Sequence, residues 1–248
     1  MGEVVLQARR VSRHFGGLRA VDEVDLSCNM GEVHAVIGPN GAGKTTLINL
    51  LSGDLSASSG QIVYRGREIT HLPAHRISRL GIGRSYQRTN IFPELTCWQN
   101  CWLAGQSQEQ TSLLFLQPAN ASKRTGGRVE IALKTAGLGA KFDEYANSMS
   151  YGEQRQLEIA MLLAMEPDVL LLDEPLAGMG NDEAAKVVEL IGNLAKDHCI
   201  VLIEHDMDAV FAVADILTVM VDGIILESGP PETIRDSTRV REAYLGDD

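Results

Sequence analysis

The sequence predicts an α/β fold built on a mostly parallel sheet, with an antiparallel β part at the N-terminus and a helical insertion in the middle. Three observations carry that reading. Val33-His34-Ala35-Val36-Ile37 and Val169-Leu170-Leu171-Leu172 are near-continuous apolar runs, the pattern of strands covered on both faces. Strand-like and helix-like stretches alternate over most of the chain, the order that crossover helices impose on a parallel sheet. Residues 90–149, by contrast, contain no convincing strand.

Taken in order, Val4, Leu6 and Ala8 alternate, as do Val24, Leu26 and Cys28, and both stretches read as strands. The buried run 33–37 ends in a glycine-rich loop, followed by a helical stretch at 45–51 that Ser52-Gly53 stops. Further strands are expected at 62–64, 82–85, 169–172, 200–203, 216–220 and 224–227. Helical periodicity fits 128–136, 152–164, 182–195 and 207–214. The polar, irregular stretch 105–127 reads as a loop inside the insertion. These elements divide the chain into a core at about 1–87 and 165–230, a helical subdomain at about 88–164 and a short tail at 231–248. With 248 residues, one domain with such an insertion is a natural size.

Composition excludes several classes. Apolar residues make up 44% of the chain, too many for a disordered protein. Twenty-four glycines against eight prolines fit a scaffold with many tight turns, and no repeat or low-complexity tract is present. The net charge of −11, from 33 acidic and 22 basic residues, comes without any lysine–arginine run. That argues against nucleic acid as a partner, because phosphate neutralisation supplies most of such affinity. No apolar stretch is long enough to cross a bilayer, and the N-terminus lacks the apolar core of a signal peptide. Any membrane role must therefore come through a partner. Cys28, Cys97, Cys101 and Cys199 show no zinc spacing and read as reduced thiols.

Gly38-Pro39-Asn40-Gly41-Ala42-Gly43-Lys44-Thr45 matches the pattern G-x-x-x-x-G-K-[ST] in full, between a buried strand and a helix. The glycines let the backbone curl with N–H groups inward as a nest for phosphate oxygens, and the helix dipole adds to it. Lys44 is placed to reach β- and γ-phosphates, the Thr45 hydroxyl to ligate Mg²⁺, and Thr46 to assist at an α-phosphate. The alternative, a chance glycine turn before a helix, does not account for the full pattern. Downstream, an apolar strand ends in Asp173-Glu174. Asp173 suits Mg²⁺, usually through water, and Glu174 suits polarisation of a water that attacks the γ-phosphate. A solvated acidic pair is the bland reading of that stretch alone. Together the two motifs indicate a P-loop NTPase, with a RecA-like core.

Between them lies Ser150-Tyr151-Gly152-Glu153-Gln154, followed by Arg155-Gln156-Leu157-Glu158-Ile159-Ala160. This resembles the signature motif of ABC ATPases, with Tyr151 where the usual form has a first glycine. Ser150-x-x-Glu153 is equally a capping box opening an amphipathic helix, and both readings can hold together. Gln87 resembles the glutamine that contacts Mg²⁺ and the attacking water. His205, after the strand at 200–203, resembles the switch histidine at the γ-phosphate. Phe15 resembles the aromatic that stacks on adenine, with core packing as its rival. Gly180 departs from the family, which generally has Asp or, in this subfamily, often Asn there; either Asn181 takes over its contacts across the dimer or the coupling is looser. The stretch 15–21 and the ending at 240–246 resemble the ATPases of branched-chain amino-acid importers.

This resemblance implies ATP and Mg²⁺ as cofactors and a dimer in which Ser150, Gly152 and Gln154 complete the opposite subunit's phosphate pocket. It also implies two membrane-spanning permease subunits, a second ATPase subunit, an extracytoplasmic solute-binding protein and a peripheral position on the cytoplasmic face of the membrane. The solutes implied are branched-chain or other hydrophobic amino acids, with urea, amides or another small organic solute as the alternative. Two rival classes remain: a non-transport ABC ATPase, which usually needs coiled coils or tandem domains, and a metabolic P-loop kinase, which lacks the 150–154 segment.

Overall fold

The computed structural model describes residues 2–87, 89–108 and 123–245. The chain opens with β1 (Val4–Phe15), β2 (Leu18–Asn29), β3 (Val33–Ile37), α1 (Lys44–Leu51), β4 (Ser59–Tyr64), β5 (Arg67–Glu68), α2 (Ala74–Leu80) and β6 (Ile82–Arg84). The helices α3 (Cys97–Gln106), α4 (Lys123–Thr135) and α5 (Tyr151–Leu163) follow. The remainder is β7 (Val169–Asp173), α6 (Asn181–Leu194), β8 (Cys199–Ile203), α7 (Met207–Val213), β9 (Ile216–Val221), β10 (Ile224–Gly229), α8 (Pro231–Asp236) and α9 (Thr238–Leu245).

Two sheets result. β2-β1-β4-β5 pair antiparallel, and β10-β9-β3-β8-β7-β6 form a larger sheet in which only the edge strand β10 runs antiparallel. In β3, β7 and β8 every residue is buried, as their unbroken apolar runs require. β3 lies between β8 and β9, and β8 joins it to β7. Consequently the loops leaving β3, β7 and β8 emerge side by side at the carboxyl edge of the sheet, where open α/β folds place ligands.

The expected fold and most strands are present, with shifted ends. β1 and β2 are longer than their alternating cores, and β4 begins three residues before the predicted strand at 62–64. The insertion is more helical than its sequence indicates. α3 reaches Gln106 and α4 begins at Lys123, so both ends of the expected loop at 105–127 belong to helices. Gly126, within α4, packs beneath the rings of Trp98 and Trp102. Trp98 stacks on Trp102 at 6.3 Å and tilts against Phe142 at 5.6 Å, tying α3 to the stretch before α5. Residues 109–122, Arg88 at the expected subdomain boundary and 246–248 of the expected tail lie outside the described residues. Cys97 and Cys101 share the buried face of α3, and all four cysteines are free and buried.

Candidate active site

The loop after β3 wraps the start of α1. Gly43 caps that helix with φ of 99°, and a Cβ there would lie 2.3 Å from the Ala20 carbonyl oxygen, so only glycine fits. No side chain caps α1, which leaves its first N–H groups facing the loop. Lys44 is buried, and its ammonium donates to the carbonyl oxygens of Gly38 (2.6 Å) and Pro39 (3.0 Å). Burial lowers the Lys44 pKa below the ordinary lysine value, while nearby Glu174 and Asp173 pull it back up.

The end of β7 supplies the facing wall. Asp173 is buried, and burial raises its pKa, reinforced by Glu174 and opposed by Arg84 and Lys44. Arg84, from β6, reaches Asp173 at 3.5 Å and binds Asp54 at 2.6 Å and Ser52 at 2.9 Å, so it ties the end of α1 to this acid. Glu174 turns out of the strand with φ of 49°, while its N–H still donates to the Ile203 carbonyl at 2.9 Å. That left-handed turn costs about 1 kcal/mol or more for a residue with a Cβ. The turned residue directs its carboxylate to the Gln87 amide, which donates to it at 3.0 Å.

Lys44, Gln87 and Glu174 line one cavity of about 500 Å³, with Phe15, Asn40, Gly41, Ala42, Gly43, Thr45 and Thr46, whereas the buried Asp173 is not part of its lining. Leu18, Arg19, Ala20 and Asp222 complete its rim. An adjoining cavity of about 450 Å³ adds Gly38, Pro39 and His205 to Asn40, Lys44, Gln87 and Glu174. Phe15 is 44% exposed at this mouth, which removes core packing as its role. Glu204, unnoticed in the sequence beyond its place beside His205, is buried and accepts from the N–H groups of Leu176 (2.8 Å) and His205 (3.1 Å). It therefore pins the turn after Glu174 to the loop that carries His205. Burial raises the Glu204 pKa, opposed by those same N–H groups.

Ser150, Gly152 and Gln154 stand apart and line neither cavity. Ser150 caps α5 in a full capping box, its hydroxyl accepting from the Glu153 N–H at 3.3 Å and donating to Glu183 at 2.8 Å. Gly152 lies under Glu183, whose side chain a Cβ would meet at 2.8 Å. The Gln154 amide donates to the carbonyls of Ala146 (3.1 Å) and Met149 (3.3 Å), a contact that holds the preceding turn. Tyr151 sets its ring against Gly178, in the turn after Glu174. Glu183, Arg84 and Arg155 are linking residues that sequence reasoning missed, because the segments they link, through Ser150, Asp54 and Asp173, and Tyr86 and Gln87 respectively, are remote in the chain.

A phosphate loop after β3 and an acidic pair after β7, parallel strands separated by β8 alone, define the class, a P-loop nucleoside triphosphatase. The chain belongs to the ABC transporter family: its residues 21–177 match the ABC transporter family model, and residues 225–248 match that of the branched-chain amino acid ATP-binding cassette transporter. It is accordingly an ATPase, and no helix of its described residues is long and apolar enough to cross a membrane. It is 38% identical, over the whole of both chains, to the high-affinity branched-chain amino acid transport ATP-binding protein LivG of Salmonella typhimurium. The same identity over the same full lengths relates it to the BraF protein of that description from Pseudomonas aeruginosa. Among solved structures, a nucleotide-free ATP-binding cassette from an ABC transporter superposes with a TM-score of 0.86 at 28% identity, covering 98% of this chain and all of that one. The ADP conformation of a cassette gives 0.87 at 28% identity, covering 98% of this chain and 99% of the other.

Proposed function

We propose that this chain is the ATP-hydrolysing subunit of an importer for branched-chain or other hydrophobic amino acids. The observation that carries the chemistry is the convergence of Lys44, Gln87, Glu174 and His205 on adjoining cavities over the phosphate loop. The full-length similarity to LivG and BraF supports the solute class. In this reading Lys44 exchanges its carbonyl partners for β- and γ-phosphate oxygens, and Phe15 stacks on the base. Glu174, steadied by the Gln87 amide, orients water, and His205 stabilises charge on the transferred group.

The donor set fits Mg²⁺: the Thr45 hydroxyl, the Gln87 amide oxygen and the buried Asp173 carboxylate would hold it. When bound, it neutralises charge on the phosphates. Ser150 and Gly152, with the start of α5, complete the pocket of a second ATPase subunit, hetero- or homodimeric. Gln154 supports that segment from behind. The divided chain, with a core at about 1–87 and 165–230, a helical part at 88–164 and a tail at 231–248, sits on the cytoplasmic face of the membrane. There the stretch from Gln87 to Trp98 grips two permease subunits, which a solute-binding protein supplies from outside.

Replacing Glu174 by Gln tests the chemistry. Nucleotide should still bind while turnover falls about 10²–10⁴-fold; undiminished turnover removes Glu174 from its role. The solute is tested in vesicles carrying the chain with its permeases and binding protein. ATP-driven uptake of leucine, isoleucine or valine supports the reading, and uptake confined to a different solute class refutes it.

A further inference from the structure

Arg155 is a buried cation that connects the loops on either side of the site. It is 1% exposed and heads the largest fully buried side chains of the described residues. From α5 its guanidinium donates to the carbonyls of Tyr86 (2.8 Å) and Gln87, to the Tyr151 hydroxyl (3.2 Å) and to Glu158 (2.7 Å). Glu158 is 4% exposed and accepts in return from the Tyr86 N–H at 3.3 Å. The pair thus binds the backbone on both sides of the Tyr86–Gln87 junction. The next contact outward is the Gln87 amide on Glu174 at 3.0 Å. On its other side, Arg155 holds Tyr151, whose ring rests against Gly178 behind Glu174.

A buried ion pair is weak evidence for stability, because desolvation offsets most of the Coulombic gain. This one leaves the Arg155 Nε without a partner, an added cost. Its contacts go instead to backbone that an apolar pair of equal volume could not grip. The planar fork of arginine holds two adjacent carbonyls, the Tyr151 hydroxyl and Glu158 together in one rigid plane of donors, whereas the three donors of a lysine ammonium sit on a flexible stem.

We propose that Arg155 is a positioning residue for hydrolysis: held by Glu158 and Tyr151, it fixes the backbone of Gln87 so that the Gln87 amide meets Glu174. The inference rests on the roles of Gln87 and Glu174 given above. It also assigns a task to Tyr151, which stands where the family's usual glycine could supply neither hydroxyl nor ring. The α5 helix and the Gln87 loop then move as one piece, so a shift at either is felt at Glu174.

The test is a kinetic cycle on the full chain with Arg155→Lys, Gln87→Ala and the double variant, measuring MgATP affinity, turnover and urea unfolding. Arg155→Lys should lower turnover about ten- to fiftyfold with affinity within threefold, a split expected of misplaced catalytic geometry. In the Gln87→Ala background the same change should cost less than threefold, because the group it positions is gone. Tyr151→Phe, which disturbs folding least, should cost two- to fivefold and lose that effect in the same background. Losses that multiply in the double variants, or full turnover in Arg155→Lys, overturn the proposal. If Glu174→Gln still abolishes turnover in the same preparations, the assigned chemistry stands and only the Arg155 inference falls.

Discussion

The phosphate loop at 38–45 and the segment at 150–154 are both helix openings, but their donors are treated differently. α1 starts at Gly43 without any side-chain cap, so its N–H groups face a cavity walled by groups from β3, β7 and the Gln87 loop. α5 starts at Ser150 inside a complete capping box, with Glu153 bound to Lys141 at 2.9 Å and Glu183 seated on the Ser150 hydroxyl. An uncapped opening leaves donors for a ligand, whereas a capped one has already satisfied most of them. Charge follows the same division. Burial is the leading cause at Lys44 and Asp173, while at Glu153 the leading cause is the Lys141 hydrogen bond, which lowers its pKa. One opening is therefore a finished half of a binding site. The other makes sense as a half that needs a phosphate brought to it, in the proposed reading by a second subunit.

The strongest way to break this contrast is Lys44→Ala. Truncating one member of a desolvated charge contact typically costs about 2–5 kcal/mol, so MgATP affinity of the lone chain should fall about a hundredfold or more, read by fluorescent-nucleotide titration. Retained affinity would mean that the uncapped opening does not hold phosphate. Ser150→Ala probes the other half. The lone chain should bind MgATP as before, and loss of the cap should cost about 1 kcal/mol of helix stability. Turnover in the assembled protein should drop about tenfold. A matching loss of affinity in the dilute single chain would erase the distinction between the halves.

How far the sequence disclosed this arrangement depends on whether an element is local. The phosphate loop is eight contiguous residues, and the strand and helix its pattern calls for are in place, with β3 ending at Ile37 and α1 beginning at Lys44. Asp173 and Glu174 were legible because the apolar run leading to them had to be a central strand. α3 was missed, although Thr96 and Gln99 form a capping box whose three-residue spacing was available in the sequence. Its apolar face is built from Cys97, Cys101 and Trp102 rather than a leucine stripe, so the periodicity was weak. The i,i+3 spacing of Arg155 and Glu158 was open to reading, but the links that Arg155, Glu183 and Glu204 make to Tyr86 and Gln87, to Ser150 and to Leu176 were not, because only the fold brings those atoms together. Gln154 shows the converse: a motif position drew attention, and the structure gives its amide to the turn before the helix.

The smallest expected effect concerns the strand that carries the finished half. His34, in β3, is buried between Thr218 (2.7 Å) and the Cys28 sulfur (3.7 Å), and burial lowers its pKa to about 4 from the usual 6.5. A histidine held neutral in this way contributes stability that is complete above the unfolded value near 6.5. As pH falls below that, the unfolded chain takes up a proton that the folded one refuses, and stability declines until the folded value near 4 is passed. Between pH 7 and pH 5.5 the loss from this group is about 1 kcal/mol. Glu158 and Glu204, raised by burial, act in the opposite sense and gain on acidification. The comparison is therefore between the wild-type chain and His34→Gln, with urea midpoints measured at both pH values. The wild type should lose more stability than the variant over that interval. Equal pH slopes would mean that His34 accepts a proton in the folded strand, and that β3 is less dry beneath the phosphate loop than its burial requires.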